Sequence, residues 1–249
     1  MVMKRSVGSQ LLASVLVNSI YAMKNYPVMF INTLLAPFSI LIVIILVSHG
    51  GLLQVGIEGA LIMTTITAGI GLQADLSHLK NDMKLQDMVV SSPTTSLTYV
   101  AGMGLSELVF SAPVMAVLAV LAAIFIHPTL VQSLIIVAVM GISFIFSIVL
   151  GFVLSTFTSD VLQSWGFTGI LSVVLTTLPP VYYPISYIPQ PFQILAYISP
   201  TTYAAEIVQS AIGFISISTF NLAVDWVVLV GVCIALVVIA YKKALWREP

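Results

Sequence analysis

Cysteine occurs once, at Cys233, so one chain by itself can form no internal disulfide, Cys-based zinc site or Cys-ligated cluster. Cys233 lies in the last apolar run and reads as a small core hydrophobe. Charge is equally scarce: 7% of the residues are charged, against about 25% in an ordinary globular domain. Eight Lys and Arg cannot build a phosphate-tracking stripe, which excludes a nucleic-acid partner. No Gly-x-x-x-x-Gly-Lys-Ser/Thr occurs, so the chain has no loop of its own to cradle ATP phosphates. His49, His78 and His127 are scattered, with no His-x-x-x-His pair and no Ser-His-Asp set, and each reads as a solvated loop residue. The chain is read as non-enzymatic, with no catalytic residue and no metal site.

What is present is apolar. Hydrophobic residues make up 59% of the chain and mean hydropathy is +1.13, a surface that water would not dissolve. A bilayer core about 30 Å thick takes about 20 apolar residues of helix. Spans are predicted at about 27–48, 57–74, 99–126, 130–154, 165–182 and 222–241. The second is the weakest, because Glu58 opens it and Thr64, Thr65 and Thr67 dilute it. The basic residues fall in three groups: Lys4, Arg5 and Lys24; Lys80 and Lys84; Lys242, Lys243 and Arg247. Six crossings place all of them on one side. Juxtamembrane cations are retained in the cytoplasm, so both termini are expected inside a multi-pass protein of the cell membrane.

Three segments outside the spans have character of their own. In residues 1–26, Ser14, Asn18, Tyr21 and Asn25 recur on one helical face and Leu12, Leu16, Ile20 and Met23 on the other, the pattern of a helix lying in the membrane interface. No small-residue cleavage site follows, so a removed signal peptide is not expected. Between spans two and three, residues 75–98 carry Asp75, Lys80, Asp82, Lys84 and Asp87, while Leu76, Leu79, Met83 and Val90 recur at helical spacing. A short amphipathic helix ending at Ser91-Ser92-Pro93 is predicted there. Residues 183–217 are too rich in proline for one span and too apolar for an ordinary external loop. Pro184, Pro189, Pro191 and Pro200 divide them, so two short helices re-entering from the outer face are expected, with Tyr182, Tyr183, Tyr187, Tyr197 and Tyr203 near the interface.

Glu107 stands about eight residues, or about 12 Å, into span three, where an ionisable group is a candidate for the translocation path. Pro113 can kink the same span. Glu58 and Asp225 open spans two and six and read as helix N-terminal complements. Gly141, Gly151, Gly166 and Gly169 permit close helix approach.

These pieces resemble the membrane subunit of ABC-2-type ATP-binding-cassette transporters over nearly the whole chain. Besides six spans behind an amphipathic helix, the stretch from Lys84 to Pro93 is similar to the family's Gly-Thr-Leu-Glu-x-Leu-Leu-x-Ser-Pro segment at Asp87, Val89, Val90, Ser92 and Pro93, with Lys84 in place of Gly. The region after span five looks like the family's block of aromatic-Pro, Leu-Pro and Pro-x-Thr-Tyr-x-x-Glu at Pro184, Pro189, Pro200, Thr202, Tyr203 and Glu206. Gln209 replaces a frequent Arg, and Pro179-Pro180 a frequent Ser-Gly. The resemblance implies an export permease that pairs with a second copy or a similar permease. It also implies a separate nucleotide-binding subunit, holding ATP and Mg, docked on the cytoplasmic side through Leu79, Met83, Lys84, Asp87, Val89, Val90, Ser92 and Pro93.

The fold expected is therefore an all-α polytopic membrane protein with six transmembrane helices, an interfacial N-terminal helix, a cytoplasmic coupling helix between spans two and three, and a re-entrant hairpin before span six, in one domain over 1–249. The function expected is an exporter moving a drug, lipid or glycan. Two other classes compete with it: an ion-coupled secondary transporter, for which only Glu107 is a buried acid at depth and no internal repeat is visible, and a non-transporting membrane anchor or assembly factor.

Overall fold

A computed structural model of the chain describes residues 7–81, 95–158 and 160–243. Every regular element among them is a helix. The first, α1 (Val7–Val15), continues through a π-helical turn at Leu16–Ile20 into α2 (Tyr21–Asn25). Pro27 then opens α3 (Pro27–Val47), at the one helical position where a missing N–H costs nothing. After a turn with His49 and Gly50 at positive φ comes α4 (Leu53–Asn81).

Thr95 caps α5 (Ser96–Phe125) by accepting from the Thr98 amide. Four residues later Thr129 and Gln132 form a reciprocal capping box on α6 (Leu130–Ser155). Asp160 accepts from the Leu162 amide to start α7 (Val161–Ser172), which runs on as a π-helix to Thr177, where Pro179 and Pro180 follow. A 3-10 turn at Ile185–Tyr187 precedes α8 (Gln190–Ala196) and α9 (Pro200–Ala211). Gly213, at φ +78°, closes α9, with the Phe214 amide donating to the Gln209 carbonyl at 2.9 Å. The last helix is α10 (Thr219–Lys243).

Five of these, α3, α4, α5, α6 and α10, are long and apolar enough to cross a bilayer, while α7 with its π extension is a shorter apolar helix. The bundle is built around α4, which packs against α3, α5, α6, α7 and α9. In its apolar stretch 83% of the residues are buried, against 11% in α3 and 17% in α10. It is also the least hydropathic of the five, at 1.6 against 2.6–2.8. The two facts have one cause. A helix surrounded by protein can hide Glu58, Thr64, Thr65 and Gln73, whereas a helix facing lipid cannot. The dilution that makes this span weak in the sequence marks it as the centre of the fold.

Close approach around α4 depends on small residues. A Cβ on Gly69 would overlap the Ser147 side chain of α6, and one on Gly151 would lie 3.0 Å from the Gly69 carbonyl oxygen. Gly141, Gly166 and Gly169 face open space instead, so of the four glycines expected to admit a neighbour only Gly151 does so within this chain.

The helix boundaries correct two expectations. The amphipathic helix expected to begin near Leu76 is not a separate element at its start, because α4 continues unbroken through Asp75, Leu76, His78 and Leu79 to Asn81. His78 is accordingly a helix residue. The region around α7 also shifts: helix occupies 161–177 rather than 165–182, since no helix continues through the Pro-Pro pair.

Of the polar face expected on the N-terminal helices, Ser14 and Asn18 meet the bundle, while Tyr21 and Asn25 are exposed. Ser14 and Asn18 turn towards α5, where the Asn18 amide donates to the Met103 sulfur at 3.3 Å and the Ser14 hydroxyl lies 3.3 Å from that of Ser106. Ser19 donates to the Ser106 carbonyl. Leu12, Leu16, Val17 and Ile20 are exposed. Ser14, Asn18 and Ser19 thus bind the helix to the bundle, and its apolar side chains are left exposed. Cys233 is buried in the main core cluster, with its thiol 3.8 Å from the Ile142 carbonyl oxygen.

Candidate functional site

Three cross-links identify the helix ends that share one end of the bundle. Gln54 donates to the Phe125 carbonyl at 3.2 Å, Gln132 donates to the Ala211 carbonyl at 2.9 Å, and Gly59 meets the Val181 carbonyl and Tyr182. The turns at 48–52 and 126–129 therefore sit with the segment containing α8 and α9, at what is called here the hairpin end. The N-terminal helix, the end of α4 and the start of α5 form the opposite end.

At that opposite end the structure brings together two acids that the sequence had separated. Glu107 of α5 is hydrogen-bonded to the Asp75 carboxyl of α4 and lies 3.7 Å from the position a Cβ on Gly71 would take. This side-chain contact ties α5 to the central helix. Tyr99, about two turns before Glu107, is close enough to feel the Asp75 charge. The expectation that Glu107 has no second acid at its depth is corrected. Asp75 was assigned to a loop because charge follows it, yet the stretch from Leu72 to Asn81 contains no Gly or Pro to end a helix.

Of the residues expected to couple to a motor, Leu79 is described. It packs beside Leu72, Leu76 and Met103 in a small cluster between α4 and α5. Met83, Lys84, Asp87, Val89, Val90, Ser92 and Pro93 lie outside the described residues.

Glu58 and Asp225 do not act as the N-terminal complements expected of them. Glu58 lies in the second turn of α4, is 1% exposed, and neither of its carboxyl oxygens has a hydrogen-bond partner among the described residues. Asp225 lies in the second turn of α10, is 4% exposed, and its Oδ2 is likewise without a partner among them. Both point into packing that a single-sequence view of a helix start cannot show.

At the hairpin end the expected block does assemble. Pro184 is buried before the 3-10 turn, Pro189 precedes α8 and Pro200 opens α9. The Thr202 hydroxyl donates to the Ala196 carbonyl, and Tyr203 donates to the Tyr197 carbonyl at 2.9 Å, which folds α9 back over the end of α8. The Tyr197 hydroxyl donates to Glu206 Oε1 at 3.3 Å, and the two tyrosine rings lie 5.7 Å apart, tilted at 47°. Burial, with the charge of Asp225 adding to it, pushes the Glu206 carboxyl up to about 7, against a smaller opposing effect of the Tyr197 hydroxyl. Gln209, one turn on, donates to the Pro180 carbonyl at 3.4 Å. Two of the positions noted as unusual in the sequence are thus partners of each other. Tyr182 is buried, not interfacial, and donates to the Met63 sulfur at 2.8 Å.

The raised Glu206 carboxyl gives a stability prediction. A carboxyl whose folded pKa lies above its unfolded value of about 4.5 binds its proton more tightly when folded, so its contribution is complete at low pH and is lost as pH rises towards about 7. The thermal midpoint in detergent is expected to fall between pH 5 and pH 8, and to fall less in Glu206→Gln. An identical pH slope in the two proteins would show that Glu206 ionises without constraint.

The arrangement offers paired acids, aromatic rings and buried amides. Among the described residues no group of three or more His, Cys, Asp or Glu could hold a metal ion. Residues 10–213 match the family described as ABC-2 type transporter. No curated protein matches the chain.

Proposed function

Because the chain belongs to the ABC-2 type transporter family, whose permeases are multi-pass membrane components of transport machines, we propose that it is the permease subunit of an ATP-driven exporter. The match over residues 10–213 carries this reading, since it runs from within α1 to beyond the end of α9 and so takes in nearly every element of the bundle. In it α7 and its π extension make the sixth span beside the five longer helices, and α8 and α9 dip from the outer face. Both termini and Lys80, Lys84 and Lys242 lie in the cytoplasm of a cell-membrane protein.

The motor is a nucleotide-binding ATPase chain that holds ATP and Mg, because this sequence has no phosphate-cradling glycine loop. It docks on the end of α4 and the segment that follows. A second copy, or a similar permease, completes the pathway between two bundles, and a lipophilic drug, lipid or glycan passes outward without covalent chemistry. Family permeases work with such an ATPase.

One observation favours gradient coupling instead: Asp75 and Glu107 bring two acids into contact between packed helices, the arrangement a proton relay would use. Flux of a lipophilic dye in vesicles containing this chain and its copurified ATPase separates the two. Transport is expected with ATP and no proton gradient, and not with a gradient and no ATP. Robust flux in the second condition would transfer the assignment to the secondary transporter. Orientation is checked in a Cys233→Ala background, where a cysteine at Asn81 should be labelled only from the cytoplasm and one at Thr129 only from outside. Labelling of position 81 from outside would remove the six-span arrangement.

A further inference from the structure

The hairpin end is short of positive charge and of hydrogen-bond donors at one place. Glu206 of α9 and Asp225 of α10 are close enough for the charge of one to act on the other, and both are more than nine-tenths buried. Asp225 Oδ2 has no donor among the described residues, nor has Oε1 of the buried Gln209, one turn from Glu206 on α9. The unmet groups are all acceptors. The sequence holds nothing nearby to answer them: no Lys or Arg occurs between Lys84 and Lys242, and Lys242 stands 17 residues along α10 from Asp225, about 25 Å away. His127, in the turn before α6, is the only histidine in that stretch and is exposed. Beside the two acids stand the Tyr197 and Tyr203 rings, both near enough to feel the Asp225 charge, with Tyr197 reaching solvent. Buried carboxylates without a cation, unmet acceptors and a tilted pair of electron-rich rings are the complement of an ammonium group, which brings charge and N–H donors together and is attracted to an aromatic face.

We propose that Glu206, Asp225, Gln209, Tyr197 and Tyr203 form a binding site for the primary ammonium head of a lipophilic amine. The inference rests on the permease reading and names the substrate class of its outer pathway. Tyr197, exposed at the end of α8, is the entry face, and Asp225 is the floor. On α8, the helix that ends just before Tyr197, Phe192, Ile194 and Leu195 are exposed and apolar, as a contact for an alkyl tail requires. Glu206 alternates between proton and ligand. The groups acting on its carboxyl are Asp225 from α10 and Tyr197 beyond the end of α8. Of the other packed helices, α6 has no titratable side chain, and Glu58 of α4, although at the same end, does not act on it. Because Glu206 titrates near 7, ammonium binding strengthens as pH rises from 6 to 8, a range in which an alkylamine stays charged.

The test is calorimetric titration of n-hexylammonium into the full chain in phosphatidylcholine nanodiscs, with empty discs subtracted. Saturable binding is expected at pH 8, at least tenfold weaker at pH 6, and at least tenfold weaker at pH 8 in Asp225→Asn, Glu206→Gln and Tyr197→Leu. Tyr197 is partly exposed, and the leucine variant keeps the backbone carbonyl that Tyr203 holds; an unchanged thermal midpoint shows that it folds. Hexanol, with the tail alone, is expected not to bind, and hexyltrimethylammonium, with charge but no N–H, to bind more weakly. Absence of saturable binding, equal affinity for either control compound, or unchanged affinity in the Tyr197→Leu variant would overturn the site. No ATPase is needed, so failure here with ATP-driven dye flux intact would remove the site and leave the permease. Binding without any ATP-driven flux would do the reverse.

Discussion

Replacing Gly69 with leucine is expected to abolish the folded protein. Gly69 sits where α4 and α6 are closest: a Cβ there would overlap the Ser147 hydroxyl, lie 2.6 Å from the Ser147 Cβ and 2.9 Å from the Ile148 backbone nitrogen. The last of these is backbone and cannot turn aside, so α6 must move away from the helix around which the bundle is packed. Overpacking usually costs about 1–3 kcal/mol even where neighbours can adjust. Here four extra carbon atoms meet a helix–helix seam, and the loss should exceed that range. Gly69→Ala is expected to be destabilised but folded. Gly166→Leu, with nothing within 4 Å of its Cβ, should elute and melt like the parent. Size-exclusion profiles and thermal midpoints in detergent decide the matter, and a monodisperse Gly69→Leu protein of parental midpoint would show that the two helices are not in contact there.

The second large effect is expected at the acid pair. Glu107→Ala removes one carboxyl and leaves Asp75 facing the gap, without the side-chain contact that joined α4 to α5. A hydrogen bond involving a charged group contributes about 1.5–3 kcal/mol, and an abandoned charge at this depth adds to the loss. Glu107→Gln is different, because its amide donates to the Asp75 carboxylate and keeps the same shape. The alanine variant should therefore lose thermal stability strongly and the glutamine variant little. The Asp75→Asn, Glu107→Gln double variant should lie near the parent, giving a coupling term of opposite sign to the single losses. ATP-driven flux should follow stability, falling in the alanine variant and surviving in the glutamine one. Additive losses at the two positions would mean that the carboxyls do not touch. Full loss of flux in a stable Glu107→Gln protein would mean that Glu107 carries a proton.

Both predictions concern contacts of α4, and α4 is where the sequence was least informative about its own role. Hydropathy measures fitness for lipid, so it ranked the outer helices first and the central helix last. Span two remained in the scheme because charge asymmetry required it. The reading of its end failed for a related reason. Asp75, His78 and Lys80 looked like the start of a loop because charge is unwelcome in lipid, but a helix surrounded by other helices has no lipid to avoid. The break expected at Asp75 was a statement about solvent, and the helix obeyed hydrogen bonding instead.

The hairpin end shows the opposite balance. Prolines at 184, 189, 191 and 200 forbid one long helix, and two short helices follow from that alone. Local chemistry also determined the caps at Thr129 and Asp160, whose partners lie within three residues. That Glu206 belongs to a distinctive block was legible, and so was its neighbour Tyr203. That Asp225 stands beside it was not, because 19 positions and a turn at Gly213 separate the two acids in sequence.

The sequence by itself determined class, element type and order: apolar length makes helices long enough to span a bilayer, and proline ends them. These are properties of segments of about 20 residues in contact with solvent or lipid. The tertiary structure alone decided which helix is central, which glycines are indispensable and which acids meet. Each of those depends on a contact between helices distant in the chain, and a contact is decided by the shapes and polar groups of two surfaces together, of which a single segment carries only one.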